Sequence, residues 1–262
     1  GLFTEVLRPS IFASTAETSN FTFSAYIETQ KRSARDVQCT FRNTDGGNVV
    51  IEVGWPGSSK SPLANPSCGL SCQLSKVFNR KHIREFDTGP AILQGRLLSF
   101  RAVNHKHDIT PILAYFPSYP AERKQVPKYE KTVRAIIHHL TTIIPRVRAR
   151  SFMALCVDLN DGLGLQKGLD GVATYYNCSS IGERGATLER HLAGTLFADM
   201  LRQLNLVAVN TMRPAQPTFF GPRSSSMIDY ICVTEASYRE LISQGTLWTL
   251  GKKIQPFATK ER

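Results

Sequence analysis

The stretch FMALCVDLND, residues 152–161, runs six apolar residues directly into Asp158, Asn160 and Asp161. An apolar run of this length without polar interruptions reads as a strand buried on both faces and is short for a helix. Such a strand belongs inside a sheet that is covered on both sides. Side chains at i and i+2 of a strand share a face, so Asp158 and Asn160 are expected together at the strand end, with Leu159 pointing away. Loops that follow strand ends carry chemistry in α/β proteins. An Asx-rich turn closing a core strand is the structural alternative.

Other runs repeat the strand signal: FTFSAYIE, NVVIEVG, LLSFRAV, ITPILAYF, LVAVNT and MIDYICVT. Helical spacing appears over 127–144 and 189–204. In the first of these, Val133, Ile136, Ile137, Leu140, Ile143 and Ile144 recur at steps of three and four, giving one apolar face. His138 and His139 are adjacent and cannot both lie on that face, and neither is read as a ligand. Strands and helices interleave, which makes the class α/β or α+β. No internal repeat or long linker interrupts the chain. Residues 54–69, rich in Pro, Gly and Ser, are expected to form a long surface loop within one domain.

The chain has 262 residues, 42% of them hydrophobic, which suffices for one large domain spanning 1–262. No apolar run reaches the roughly 18 residues of a membrane-spanning helix, and no membrane partner is expected. The opening GLFTEVLRPS lacks the basic-then-apolar layout of a secretory signal, and the chain is expected to be truncated at both ends. Six cysteines do not make a disulfide scaffold in a chain of this size. Cys156 and Cys232 sit inside strand-like runs as small hydrophobes, and Cys68 and Cys72 have no second pair at zinc-finger spacing. Reduced cysteines point to an intracellular setting, the nucleus among the options. The sequons at Asn20 and Asn177 do not overturn that expectation.

Lys plus Arg number 32 against 21 acidic residues, a formal net charge of +11. Such an excess favours a polyanionic partner, because each phosphate contact releases condensed counterions. The cations concentrate in QKRSAR (30–35), NRKHIRE (79–85) and RVRAR (146–150). Nucleic acid is therefore the expected partner.

Four strand ends carry polar groups that packing alone does not require. AYIETQ ends in Glu28, ILAYFP places Tyr115 ahead of Pro117, ALCVDLN gives Asp158 and Asn160, and SSSMIDYICV embeds Asp229 between apolar neighbours. In this order, and with CGLSCQLSK (68–76), GRLLSFRAV (95–103) and LFADMLRQLNLVAVNT (196–211), the chain resembles the endonuclease/exonuclease/phosphatase superfamily with the DNase I-like fold. The resemblance covers about residues 25–233. YIETQ is similar to the family's LQETH strand end, CVDLND to its GDFN hallmark, and SSSMIDY to its S-x-IDY strand. The wording GRLLS and S-x-IDY leans towards LINE-type retroelement endonucleases and craniofacial-development-protein-2-like homologues, whose genes can encode a reverse transcriptase downstream.

The resemblance implies a four-layer sandwich of two packed, mainly antiparallel β-sheets flanked by helices. It implies a phosphodiesterase acting on DNA with Mg²⁺ or Mn²⁺, of retroelement or apurinic-endonuclease type; the sequence leaves the oligomeric state open, a monomer being the default expectation. Glu28, Asp158 and Asn160 would serve the metal. Tyr115, Asp158, Asn160 and Asp229 would be catalytic, with Asp158 activating water, Asn160 and Tyr115 donating to the phosphate, and Asp229 orienting a histidine. The family's early strand with a catalytic asparagine and its terminal Asp-His pair have no counterpart in these 262 residues, so feeble cleavage is expected from them. A catalytically impaired nucleic-acid binder and an inositol-phosphate phosphatase are the alternatives. The five site residues are expected to line one cleft, with the basic clusters on its rim.

Overall fold

The alternation of apolar side chains along the runs above produces two sheets with a core on each side of the larger one. The computed structural model describes residues 23–27, 32–33, 40–44, 47–53, 55–56, 69–163, 166–167, 173–174, 180–182, 191–212, 219–220 and 225–240. Strands β1 (Phe23–Ile27), β2 (Thr40–Asn43), β3 (Val49–Val53) and β4 (Leu70–Leu74) form a four-stranded antiparallel sheet in the order β1-β4-β3-β2. Strands β5 (Ile83–Asp87), β6 (Leu97–Val103), β7 (Asp108–Tyr115), β8 (Phe152–Asp158), β9 (Leu206–Ala208) and β10 (Asp229–Thr234) form a six-stranded sheet in the order β9-β10-β8-β7-β6-β5. In this second sheet β7 and β8 run parallel, and the other neighbours are antiparallel.

A parallel pair needs a long crossover connection, and helix α1 (Val126–Ile143) supplies it. Its buried residues Tyr129, Val133, Ile136 and Leu140 follow the expected three- and four-residue steps. Pro127 sits in the first turn, where a missing N–H breaks no helical bond. His138 is exposed, whereas His139 reaches back to the sheet, its Nε2 2.9 Å from Asp87 Oδ2. Helix α2 (Leu192–Gln203) packs beside α1 on the same side of the sheet. Among the described residues the layers are therefore sheet, sheet and helices.

β8 has two buried faces, as its sequence requires. Met153, Leu155 and Val157 join the helix-side core with Ile112, Ala114, Val133, Leu140 and Phe197. Cys156, on the alternate face, packs on the core between the sheets, with Ile51, Leu70, Leu74, Phe100 and Leu113. Burial pushes the thiol of Cys156 up to about 12 and that of Cys232 well above its ordinary value, so both behave as small apolar side chains.

Asp161, the last polar residue of the opening stretch, closes an end of α2. Its buried carboxylate accepts from the backbone N–H of His191 at 2.9 Å, of Gly194 at 2.7 Å and of Gly162 at 2.9 Å. The first N–H groups of a helix have no partner within the helix, and an anion placed there also meets the positive end of the helix dipole. Asp161 is thus structural, but as a cap on α2 and not as the Asx turn expected at the end of the strand.

At the opposite end of the sheet, Arg101 is buried and forks onto Asp108 at 2.8 and 2.5 Å, with Glu85 at 3.3 Å. Arg150 reaches Asp108 at 3.1 Å, and Arg148 reaches Glu85 at 3.0 Å. Glu85 has φ +50°, at an irregularity in the β5–β6 register between Arg84 and Asp87. The hydrogen bond from Arg101 is the main reason that the Asp108 carboxyl is held down at about 2.

Two expectations follow from these contacts. Asp161→Ala should lower unfolding free energy by about 2–3 kcal/mol in urea titrations, because buried N–H groups lose their acceptor. Asp108 is depressed in the folded state, so its contribution is fully present above the ordinary carboxylate range and is lost as pH falls towards about 2. The melting temperature should therefore fall more steeply between pH 4 and pH 2 in the native chain than in Asp108→Asn.

Candidate active site

Strand register brings three of the sequence-predicted residues to one level. Asp158 is the neighbour of Tyr115 across the parallel pair and of Asp229 across the antiparallel pair. Paired residues of adjacent strands point to the same face, about 4.8 Å from strand to strand. Because Ala114, Val157 and Tyr230 face the helices, Tyr115, Asp158 and Asp229 face the other way, towards the four-stranded sheet. Tyr115 is 2% exposed and Asp158 7%, and Asp229 is half-buried, so they form a floor rather than walls.

Asn160 belongs to the same cluster by a different route from the one expected. The strand ends at Asp158, and Asn160 takes a left-handed φ of +51°, which asparagine tolerates better than most residues. Its backbone N–H donates to Asp158 Oδ1 at 3.1 Å, and its Nδ2 donates to the carbonyl of Phe116 at 2.9 Å. Phe116 in turn donates its N–H to the carbonyl of Asp158 at 2.9 Å. Strand alternation thus misjudged how Asn160 is presented, because a turn begins one residue earlier than it requires. Leu159 does point away, into the helix-side core.

Glu28 lies outside the described residues, immediately after β1. The last residue of β1, Ile27, pairs with Leu70, and the adjacent Gly69 donates to the carbonyl of Gly95 at 3.0 Å. Tyr115 donates its N–H to the carbonyl of Arg96 at 2.9 Å. The described end of β1 is thus at the same pole as Tyr115 and Asp158.

Asp229 and its strand are held by Asn210, whose Nδ2 donates to the Asp229 carbonyl at 2.7 Å and whose Oδ1 accepts from Ile231 N–H at 3.1 Å. Next to it, the hydroxyl of Tyr230 donates to the Met227 carbonyl at 2.7 Å and accepts from Leu163 N–H at 3.0 Å. Burial pushes that phenol far up. Tyr230 is thereby a structural post for the loop that begins at Asn160.

Arg96, which the sequence reading did not single out, also reaches this floor. Its guanidinium lies 5.3 Å from the centroid of the Tyr115 ring, and its Nη1 donates to the Tyr115 carbonyl at 3.4 Å. Gly95, at φ +77°, makes the turn that delivers Arg96 to this place. The GRLLS segment contained the signal, a cation just ahead of a strand that pairs with the tyrosine strand.

Two of the three basic clusters do not rim this floor. Clusters 79–85 and 146–150 meet through Glu85 and Asp108 at the far end of the six-stranded sheet, beside the start of β7 and β8. Backbone connectivity, which sequence spacing does not report, separates them from Asp158. Cluster 30–35 lies outside the described residues apart from the backbone of 32–33.

The side chains gathered here offer carboxylate, carboxamide and phenol oxygens, a donor set that suits a hard divalent cation and not zinc. Among the described residues no three His, Cys, Asp or Glu side chains form a metal cluster, and no helix is long and apolar enough to cross a membrane.

Comparison with protein-family models and with curated protein sequences returns no match. Solved structures do match. The 3′-5′ exonuclease NExo from Neisseria meningitidis superposes with a TM-score of 0.58 at 12% identity, over 88% of this chain and 84% of that one. The AP endonuclease LMAP from Leishmania major gives 0.56 at 14% identity, over 88% and 74%. A 3′ phosphatase NExo from Neisseria bound to a product DNA hairpin gives 0.56 at 12% identity, over 88% and 83%. With two packed sheets, helices on the outer face of the larger, and this superposition over most of its length, the chain has the DNase I-like fold.

Proposed function

We propose that the chain is a divalent-metal-dependent phosphodiesterase that cleaves DNA. The observation that carries the reading is the alignment of Tyr115, Asp158 and Asp229 at one level of three adjacent strands. The fold is one used by solved endonucleases and exonucleases, and the formal charge of +11 suits a polyanionic substrate.

Asp158 is the residue to orient or deprotonate the attacking water. One of its oxygens, Oδ1, accepts from Asn160 N–H, which fixes the plane of the carboxylate. Asn160 uses one amide hydrogen on Phe116, and its second N–H is the one that would donate to a phosphate oxygen. Tyr115 donates from a ring held by packing and by Arg96. Asp229 stands level with Asp158 on the adjacent strand; the histidine that an aspartate here would orient in the family has no counterpart in these residues. A magnesium ion, when bound by Glu28, Asp158 and Asn160, supplies positive charge against the negative charge that builds on phosphate. Retroelement or apurinic substrates are the finer assignment, and the site's chemistry is the same for either.

Cleavage of supercoiled plasmid or a labelled duplex tests the reading. Asp158→Ala should reduce any Mg²⁺-dependent cleavage by about 10²–10⁴ while the melting curve stays close to native, and excess EDTA should stop cleavage outright. Undiminished cleavage by Asp158→Ala would remove the residue from the reaction and the proposal with it. Arg96→Lys keeps the charge but loses the guanidinium contacts with the ring and carbonyl of Tyr115, and it should lower the cleavage rate by about tenfold.

A further inference from the structure

The far pole of the six-stranded sheet concentrates cations that the candidate site does not use. Asn104 Nδ2 donates to the Val77 carbonyl at 3.1 Å, and the Phe78 ring packs 5.9 Å from that of His107, so segment 77–82 lies on the β6–β7 turn. Arg80, Lys81 and Lys106 are exposed at this junction. Arg84 is exposed on β5, paired in register with Arg101. Arg148 and Arg150 arrive from the segment before β8. Counting Arg80, Lys81, Arg84, Arg101, Lys106, Arg148 and Arg150 against Glu85 and Asp108 gives seven cations and two carboxylates, a local excess of five.

Both carboxylates are committed within the set. Glu85 serves Arg101 and Arg148, and Asp108 serves Arg101 and Arg150. Among the described residues no carboxylate pairs with Arg80, Lys81, Arg84 or Lys106. Like charges gathered at one pole cost stability through repulsion, and an external polyanion offsets that cost. β8 is seven residues long, so this pole stands about 20 Å from Asp158. Its cations therefore cannot neutralise the phosphate being cleaved.

We infer that this pole is a second nucleic-acid site, which holds a phosphodiester backbone through Arg80, Lys81, Arg84 and Lys106 at a distance from the candidate active site. The inference rests on the placement of charge and not on the reaction assigned to Asp158. Fluorescence anisotropy of a 30-base-pair duplex against salt, using the whole chain, tests it. Each lost phosphate contact reduces the slope of log K against log salt by about 0.9. The triple variant K81E/R84E/K106E should lower that slope by about 2–3 and weaken binding at physiological salt at least tenfold, with a melting temperature no lower than native because repulsion is relieved. K128E/K131E/R134E, an equal reversal on the exposed face of α1, should keep the native slope. Equal losses in both variants would reduce the effect to net charge and overturn the inference, as would a native slope in the first variant. Loss of binding to phosphatidylserine vesicles with a native DNA slope would overturn it in favour of a lipid surface. A slope change in a chain that never cleaves DNA would keep the inference and reject the reaction, and Asp158-dependent cleavage with an unchanged slope would do the reverse.

Discussion

The parallel pairing of β7 and β8 sets the positions of the described groups at the floor of the candidate site. It places Tyr115 beside Asp158, and through Asp158 it fixes the level of Asp229. A slip of one residue along β8 would turn Asp158 into the helix-side core, among Leu155, Phe197 and Tyr230, where an unpartnered carboxylate costs several kcal/mol. The pair is fastened at both ends. Thr110 and Ser151 share a buried hydroxyl contact at 2.7 Å where the strands begin. Phe116 N–H to Asp158 and Asn160 Nδ2 to Phe116 close the other end. Between those ends, α1 makes the crossover and covers the face that Ile112, Ala114, Leu155 and Val157 present.

What the sequence made legible is what short-range periodicity encodes. The apolar run of β8, the three-and-four spacing of α1, and the polar groups at the ends of β7, β8 and β10 were readable because each is a local pattern. Tyr115, Asp158 and Asp229 could be assembled into one site because motif order stood in for register. Asn160 was readable as a site residue but not in its conformation, since alternation holds only while the strand continues. Asp161 serves N–H groups of His191 and Gly194, thirty residues and more along the chain, and nothing local distinguishes it from Asp158. Arg96 was hidden for the same reason: its partner, Tyr115, is on a neighbouring strand.

Charge was legible in amount and not in place. A net +11 suits a polyanionic partner, and spacing along the chain leaves the location of the cations open. Folding sends the 79–85 and 146–150 clusters to one pole of the sheet and the carboxylates of Asp158 and Asp229 to the other. The antiparallel turn between β6 and β7 and the long crossover between β7 and β8 bring sequence-distant arginines to common acids. Asp108 sits between Arg101 and Arg150, and this is why its carboxyl stays ionised far into acid.

This separation constrains how phosphate can be held. At the floor of the candidate site two carboxylates face each other across a strand pair, a setting that repels a phosphodiester unless cationic charge stands between them. Arg96 is turned onto the Tyr115 ring and braces it from one side. Among the described residues Arg96 is thus engaged with the Tyr115 ring, and in the proposed reaction a bound cation would supply the charge against the phosphate. The far pole has the opposite character, with exposed cations and its two acids already paired. Under the two proposals the poles divide the work: one for chemistry on a single phosphate, and the other for attraction to many.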